Sequence, residues 1–487
     1  MTILDRETSC PSCGAPVRFA FAGARAVVCG HCRFVVARTD RGLEAVGRMA
    51  DLLAIPTPLQ VGVDGRWRGN AFVVEGRVQM DRTDAPSAPW QEILLSLPEL
   101  GQLWWIAYAQ GRWYLTKEEP APPGGLPPVD ALRPGMQLDL GPHGLWVVQE
   151  VGGRRVVSGE GSLPNVPAPG ALTRYADISG PKGRFGTLDY GDGRAPPTLF
   201  LGGLVDPREL TLSSGAPLEA PKAQAAAMEC PNCGGNLPML TGLAERVVCQ
   251  YCGTASDVTG GKLAALGPLP RPPVEPAIAL GAQGRLHDEP VLCVGFMVRA
   301  CWVEGERYAW REYLLFVPPS AGAERTAAVG GAFRWLMEED GKWQWVKPLE
   351  VGDVRDHGQA VELDGAVYRW KQQVTAVTEH VVGEFYWKVE QGEQVEATEF
   401  QGAAGIVSRE RAPTEVVYSL CTRMRWRDIA AGFGLPVGAA PPGGGQAGRA
   451  VLGVVFIVII LAVIVVAATT MDGCAVGGFF FGGGGGK

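Results

Sequence analysis

The sequence predicts a mainly β protein: two zinc ribbons and two β-rich domains, sandwich or barrel-like, in tandem, followed by one C-terminal transmembrane helix. Three observations carry this reading. Eight cysteines fall into two sets of four with the same internal spacing. Short matches recur in the same order about 220 residues apart. An uncharged, strongly apolar run occupies 450–471.

The cysteine sets are Cys10-x2-Cys13-x15-Cys29-x2-Cys32 and Cys230-x2-Cys233-x15-Cys249-x2-Cys252. Two C-x2-C hooks about fifteen residues apart supply four thiolates at the corners of a tetrahedron, which suits one structural zinc ion per set. Pro11, Gly14 and Gly30 in the first set, and Pro231, Gly234 and Gly253 in the second, supply turn residues around the hooks. A disulfide framework would instead require export, and Arg18 and Arg25 interrupt the only apolar stretch near the N-terminus. The ribbons are placed at 1–40 and 222–260, with two zinc ions as cofactor.

The repeat continues beyond the ribbons. Trp90-Gln91-Glu92-Ile93-Leu94-Leu95 answers Trp310-Arg311-Glu312-Tyr313-Leu314-Leu315, and Gly111-Arg112-Trp113 answers Gly341-Lys342-Trp343 after an insertion around Ala321 to Gly331. Leu138-Asp139 matches Leu363-Asp364, Gly159-Glu160 matches Gly383-Glu384, and Asp177-Ile178 matches Glu399-Phe400. A shared order of six matches, the cysteine sets included, implies duplication of one unit, a ribbon followed by a larger domain.

The larger domains, placed at 57–210 and 277–434, read as β-rich. Glu384 to Val389 alternates Phe385, Trp387 and Val389 with Glu384, Tyr386 and Lys388, the period of a half-buried strand. Similar runs lie at Ala71 to Val78, Ile93 to Leu97, Leu145 to Val151, Val291 to Val298 and Glu415 to Leu420. Helical patterning is confined to Leu43 to Leu53 and a short counterpart at Leu263 to Leu266. The Pro-rich stretches Glu118 to Pro128 and Pro268 to Pro276 read as connectors rather than core.

A flexible linker at 435–449 leads to the apolar run at 450–471, long enough to cross the hydrocarbon core of a bilayer as one helix. A Gly/Phe-rich tail occupies 472–487. Arg449 and Lys487 leave the charge rule for orientation undecided. Zinc-binding thiolates require a reducing compartment, which places the soluble part in the cytoplasm and the protein in the inner membrane.

A net charge of −7 gives no general attraction to phosphate backbones, and nucleic acid is not an expected partner. The repeated carboxylates Glu92 and Glu312, Asp139 and Asp364, Glu160 and Glu384, and Asp177 and Glu399 read mainly as solvated structural residues. None of the five histidines, His31, His143, His287, His357 and His380, recurs between copies, so no catalytic constellation is repeated and no catalytic residue is assigned. His31 is expected to face solvent. Cys293, Cys301 and Cys421 read as core residues, and Cys474 lies beyond the membrane run.

Gly383-Glu384-Phe385-Tyr386-Trp387-Lys388-Val389, Glu399-Phe400, Ser408-Arg409-Glu410 and Glu415-Val416-Val417-Tyr418-Ser419-Leu420 resemble the bacterial family known as domain of unknown function 4178. The resemblance spans roughly Gly281 to Phe433, and a more divergent copy spans Gly62 to Leu204, where Gly161-Ser162-Leu163-Pro164 replaces the aromatic strand. It implies an architecture of ribbon, domain and membrane segment, with no established activity. Glu384, Tyr386, Trp387 and Glu399 are the candidate binding residues. The function expected is that of a non-enzymatic, membrane-anchored adaptor for protein partners; the alternatives are a nucleic-acid-associated ribbon protein or an enzyme using the shared carboxylates.

Overall fold

Strand-forming runs separated by turn residues close here into two barrels. The computed structural model describes residues 7–39, 42–52, 57–83, 90–109, 112–215, 226–239, 243–259, 262–318 and 332–438. The first barrel is built from β1 (Asn70–Arg82), β2 (Trp90–Leu97), β3 (Gln102–Ala109), β4 (Arg112–Glu119), β5 (Leu145–Leu163), β6 (Leu172–Gly180), β7 (Arg184–Gly191) and β8 (Thr198–Val205). Its strands form two four-stranded antiparallel meanders. They join where β4 pairs with β8 (Trp113 opposite Val205) and close where β1 pairs with β5 (Val78 opposite Gly159).

The second barrel repeats this order with β9 (Glu289–Val303), β10 (Glu306–Val317), β11 (Ala332–Glu339), β12 (Lys342–Leu349), β13 (Ala366–Phe385), β14 (Gln394–Gln401), β15 (Ile406–Arg411) and β16 (Val416–Met424). Here β12 pairs with β16, and β9 pairs with β13. Closure pairs both edges of each wall, so no barrel strand is left as a template for another chain.

Apolar and polar residues alternate along these strands and define two faces. In the first barrel, Phe72, Ile93, Leu95, Ile106 and Trp113 pack beneath Leu59, Trp67 and Leu210. Trp146, Ile178, Leu188 and Leu201 pack beneath Leu132, Leu138 and Leu140 of the β4–β5 connection. Leu126, inside the Pro-rich stretch 118–128, packs against the same cluster, so that connector contributes to the core rather than merely spanning it. In the second barrel the corresponding cover comes from Ile278 and from α1 (Trp426–Phe433), whose Ile429 is fully buried against Tyr313, Trp343 and their neighbours.

Each ribbon grows out of its barrel. The last three residues of β5, Gly161 to Leu163, pair with Val28 to Ala26; Gly383 to Phe385 of β13 pair with Val248 to Arg246. This junction explains two glycines. Gly161 and Gly383 have φ of +75° and +98°, and a Cβ on either would sit 2.3 Å from the carbonyl oxygen of Glu75 or Val294 on the neighbouring strand. Only glycine allows the strand to turn from barrel to ribbon at this approach. The structural counterpart of Gly383-Glu384 is therefore Gly161-Ser162, two residues beyond the expected Gly159-Glu160. Glu160 instead pairs with Arg77 at 2.6 Å.

Both expected helices are strands. Gly42–Arg48 pairs with Phe34–Thr39, and Lys262–Pro268 with Thr254–Thr259. A run of eleven residues is too short to hold a helix without packing, and a ready ladder of partners decides the outcome. The strand expected over 384–389 ends at Phe385. The insertion around 321–331, Cys474 and the apolar run 450–471 lie outside the described residues. Among the described residues no helix is long and apolar enough to cross a membrane.

The barrels touch through the β12–β13 and β15–β16 connections. Gly352 N–H donates to Ser179 Oγ (3.0 Å), Lys182 N–H to Asp353 Oδ1 (2.7 Å) and Val151 N–H to the Thr414 carbonyl (2.8 Å), while Arg112 pairs with Glu350.

Candidate metal centres and binding cavity

The four hooks share one geometry. Gly14 N–H donates to the Cys10 carbonyl and Cys10 N–H to that of Ala15. The pattern recurs at Cys29 with Arg33 and Phe34, at Cys230 with Gly234 and Gly235, and at Cys249 with Gly253 and Thr254. Each turn presents two sulfurs. Cys10 and Cys32 sulfurs are 3.7 Å apart, as are those of Cys13 and Cys29; the second set gives 3.6 Å for Cys230 and Cys252 and 3.8 Å for Cys233 and Cys249. All four ligand atoms of each set lie within 4.8 Å of one another, so each cluster could hold a metal ion. The Phe34 amide pulls the Cys32 thiol down to about 6, and the Thr254 hydroxyl does the same for Cys252. Against the pull of the Ala15 amide, hydrogen bonding within its set pushes Cys13 up, and burial pushes Cys249 up, each to about 12, so each set holds one sulfur readily ionised beside another that keeps its proton. A sulfur poised as thiolate is the form that binds metal. His31 is exposed, as expected.

Arg33 takes the hook position that Gly253 takes in the second ribbon, with φ of +65° against +75°. Its guanidinium donates to the Ala50 carbonyl (2.8 Å) and Ser158 Oγ (2.9 Å), tying the strained residue to the barrel.

The second candidate site is a cavity of about 1900 Å3 lined by both barrels and by the second ribbon. In the first barrel, Arg154 on β5 is only 6% exposed and bonds two carboxylates, Glu92 at 3.2 Å and Asp189 at 2.7 Å. Trp90 Nε1 donates to the same Glu92 oxygen at 3.2 Å. In the second, Arg299 on β9 bonds Glu312 at 3.3 Å and Glu410 at 2.7 Å, and Trp310 Nε1 donates to Glu312 at 2.6 Å. Glu92 and Glu312, singled out by the repeat, thus sit at equivalent places, each between a tryptophan and a guanidinium.

Asp177 faces the same cavity and accepts from Thr187 Oγ1 at 2.7 Å. Burial, and next the neighbouring Glu150 carboxylate, push it up to about 7. Its repeat partner Glu399 instead accepts from Lys371 Nζ at 2.6 Å and Gln372 Nε2 at 2.9 Å.

Of the candidate binding residues, Tyr386 and Trp387 line the cavity. Tyr386 stacks on Phe333 with ring centres 4.3 Å apart, and Trp387 meets Trp335 at 5.6 Å. Glu384 is buried at the ribbon junction, where it pairs with Val247 in the strand register. Glu399 belongs to its lysine pair, so the four do not form one cluster. Asp139 accepts from the Gly141 amide in a turn, and Asp364 holds a left-handed turn position with φ of +50°. Cys293, Cys301 and Cys421 are buried.

Sequence reasoning missed Arg154, Arg299, Asp189 and Glu410. The last two are equivalent, facing Tyr175 and Ala397 in the matching register of β6–β7 and β14–β15. A drift of one residue in the repeat offset hides them. The arginines come from different strands, and no linear comparison aligns them.

Two closed barrels of the same strand order, each joined to a four-thiolate ribbon, define the class of protein. Within it, residues 279–425 match a family model described as Domain of unknown function (DUF4178). The match covers the second barrel and leaves the first, which has the same strand order, outside it. The chain matches no curated protein and no solved structure.

Proposed function

We propose that this protein is a zinc-ribbon adaptor anchored in the bacterial inner membrane, presenting two rigid modules to protein partners on the cytoplasmic side. The observation that carries the reading is the continuity of each ribbon with its barrel: the ends of β5 and β13 leave the wall and pair with the ribbon strands Ala26–Val28 and Arg246–Val248, which lead directly into the hooks at Cys29 and Cys249. A ribbon held this way is a fixed projection rather than a tethered bead, and two such projections on one chain raise the effective concentration for a multivalent partner. Zinc fits the sulfur geometry. Tetrahedral bonds of about 2.3 Å place sulfurs about 3.8 Å apart, which is the spacing found in both clusters. The run 450–471 supplies the anchor.

The ion pairs support binding over catalysis, because Glu92 and Glu312 are each held by an arginine rather than left poised for proton transfer. Asp177 favours the enzyme alternative, but Glu399 does not share its environment. The test is capture from solubilised membranes by the full chain, compared with variants carrying Cys10→Ser and Cys230→Ser. A partner recovered by the wild type and lost with the ribbons supports the adaptor. Equal recovery by ribbon-disrupted chains overturns it.

A further inference from the structure

We propose that the cavity shared by the two barrels binds an organic polycation of the linear polyamine class. Its lining carries fourteen acidic against eight basic side chains, six more acids than bases, in a chain whose whole net charge is −7. Concentrating the charge in a recess focuses the field on a cationic ligand. Trp90, Trp105, Tyr175, Phe333, Tyr386 and Trp387 line the same space and offer ring faces to ammonium groups.

Four buried polar groups of the lining have no partner: the donors Trp113 Nε1 and Arg299 Nε, and two groups that can accept. Gln91, 6% exposed, has a side-chain oxygen with no hydrogen-bond partner, and the Tyr108 hydroxyl is likewise buried and unpaired. At the position of Gln91 the second copy has Arg311, which is paired with Glu338. An acceptor without a donor is the complement of an N–H-rich ligand.

The chemistry of the ligand follows from how the carboxylates are spread. Among the described residues only the two cysteine sets bring three or more ligand groups close enough for a metal ion, so the cavity acids do not converge on a divalent cation. Glu92, Asp177 and Asp189 sit in one barrel, Glu312 and Glu410 in the other, and Glu245 on the ribbon between. Amines separated by methylene spacers match this alternation of acid and apolar wall. A peptide would also need backbone partners, and closed barrels offer no free strand edge. Burial, against the opposing pull of Lys388 and Arg82, holds Glu245 up at about 7, and burial likewise holds Asp177 up at about 7.

The test is calorimetric titration of the full chain in detergent micelles with spermidine, with magnesium and tetralysine as competitors at matched ionic strength. Saturable spermidine binding is expected, weakened about tenfold or more in Asp177→Asn/Glu245→Gln and unaffected by magnesium. Should that variant fail to fold, Glu393→Gln, at another lining carboxylate, is expected to weaken binding on its own. Absence of saturable binding, unchanged affinity in a folded variant, displacement by magnesium, or tighter binding of tetralysine would each overturn the assignment.

Discussion

Arg154 and Arg299 grip equivalent glutamates from non-equivalent strands. Arg154 reaches Glu92 from β5, and Arg299 reaches Glu312 from β9. The register makes the exchange explicit: Arg299 lies opposite Trp310, and the residue opposite Trp90 in the first barrel is Met80. Each barrel keeps one guanidinium between two carboxylates and a tryptophan, but the residue supplying it has changed strand. The pair of carboxylates fixes the need for a cation, and the geometry of a closed wall lets either neighbour meet it.

Arg154→Met is therefore expected to leave Glu92 and Asp189 buried without a cation and to cost about 3–5 kcal/mol in urea unfolding. Adding Met80→Arg transplants the arrangement of the second barrel and is expected to recover at least half of that loss. A double variant no more stable than Arg154→Met would show that the two arginines are not interchangeable.

The aromatic segment at the end of β13 and just beyond it divides into core and cavity wall. Phe385 is fully buried, whereas Trp387 is half-buried against Trp335. Phe385→Ala is expected to cost about 3–5 kcal/mol, and Trp387→Ala clearly less despite the larger ring. Denaturation midpoints of the two variants check the order.

Much of this architecture was legible in the sequence, because it rests on local chemistry. Thiolate spacing located all four hooks, and period-two alternation located strands such as Ile93 to Leu97 and Val291 to Val298 inside observed ones. The helices expected at Leu43 and Leu263 failed because ladder partners come from residues the pattern does not see. Glu160 was mispaired with Glu384 because the turn from barrel to ribbon is set by two facing backbones, Gly161 against Gly76 and Gly383 against Gly295. Closure and the exchanged arginines depend on contacts between strands far apart in the chain, which spacing cannot reveal.

Asp177 ties stability to pH. Burial raises it to about 7 in the folded protein, against about 3.9 in an unfolded chain. Between those values the folded state holds a proton that the unfolded state has released, so this group's contribution falls as pH rises from about 4 to about 7 and is flat above. Asp177→Asn removes the proton site and keeps an acceptor for Thr187. The variant is expected to gain stability relative to wild type as pH rises from about 4 to about 7, with no further gain above that. The metal sites are common to both chains and cancel in the difference. A stability difference that does not change with pH would show that Asp177 ionises freely in the fold.

The hooks supply the last prediction, in which backbone and metal are read together. Gly14 and Gly253 both have φ of +75°, but a Cβ at Gly14 meets nothing within 4 Å, whereas one at Gly253 would lie 2.4 Å from the Leu269 carbonyl oxygen. Gly14→Ala carries only the left-handed strain, about 1–2 kcal/mol. Gly253→Ala adds a clash with a backbone that is itself held by the Leu269 N–H to Gly253 carbonyl bond at 2.8 Å. Displacing that backbone shifts the hook that positions Cys249 and Cys252. Competition with a chromogenic chelator is expected to show two zinc equivalents in the wild type, both retained with modest weakening in Gly14→Ala, and selective loss of one in Gly253→Ala. Equal zinc affinity in the two variants would mean that the second hook tolerates the shift and that its glycine is not required by the approach of Leu269.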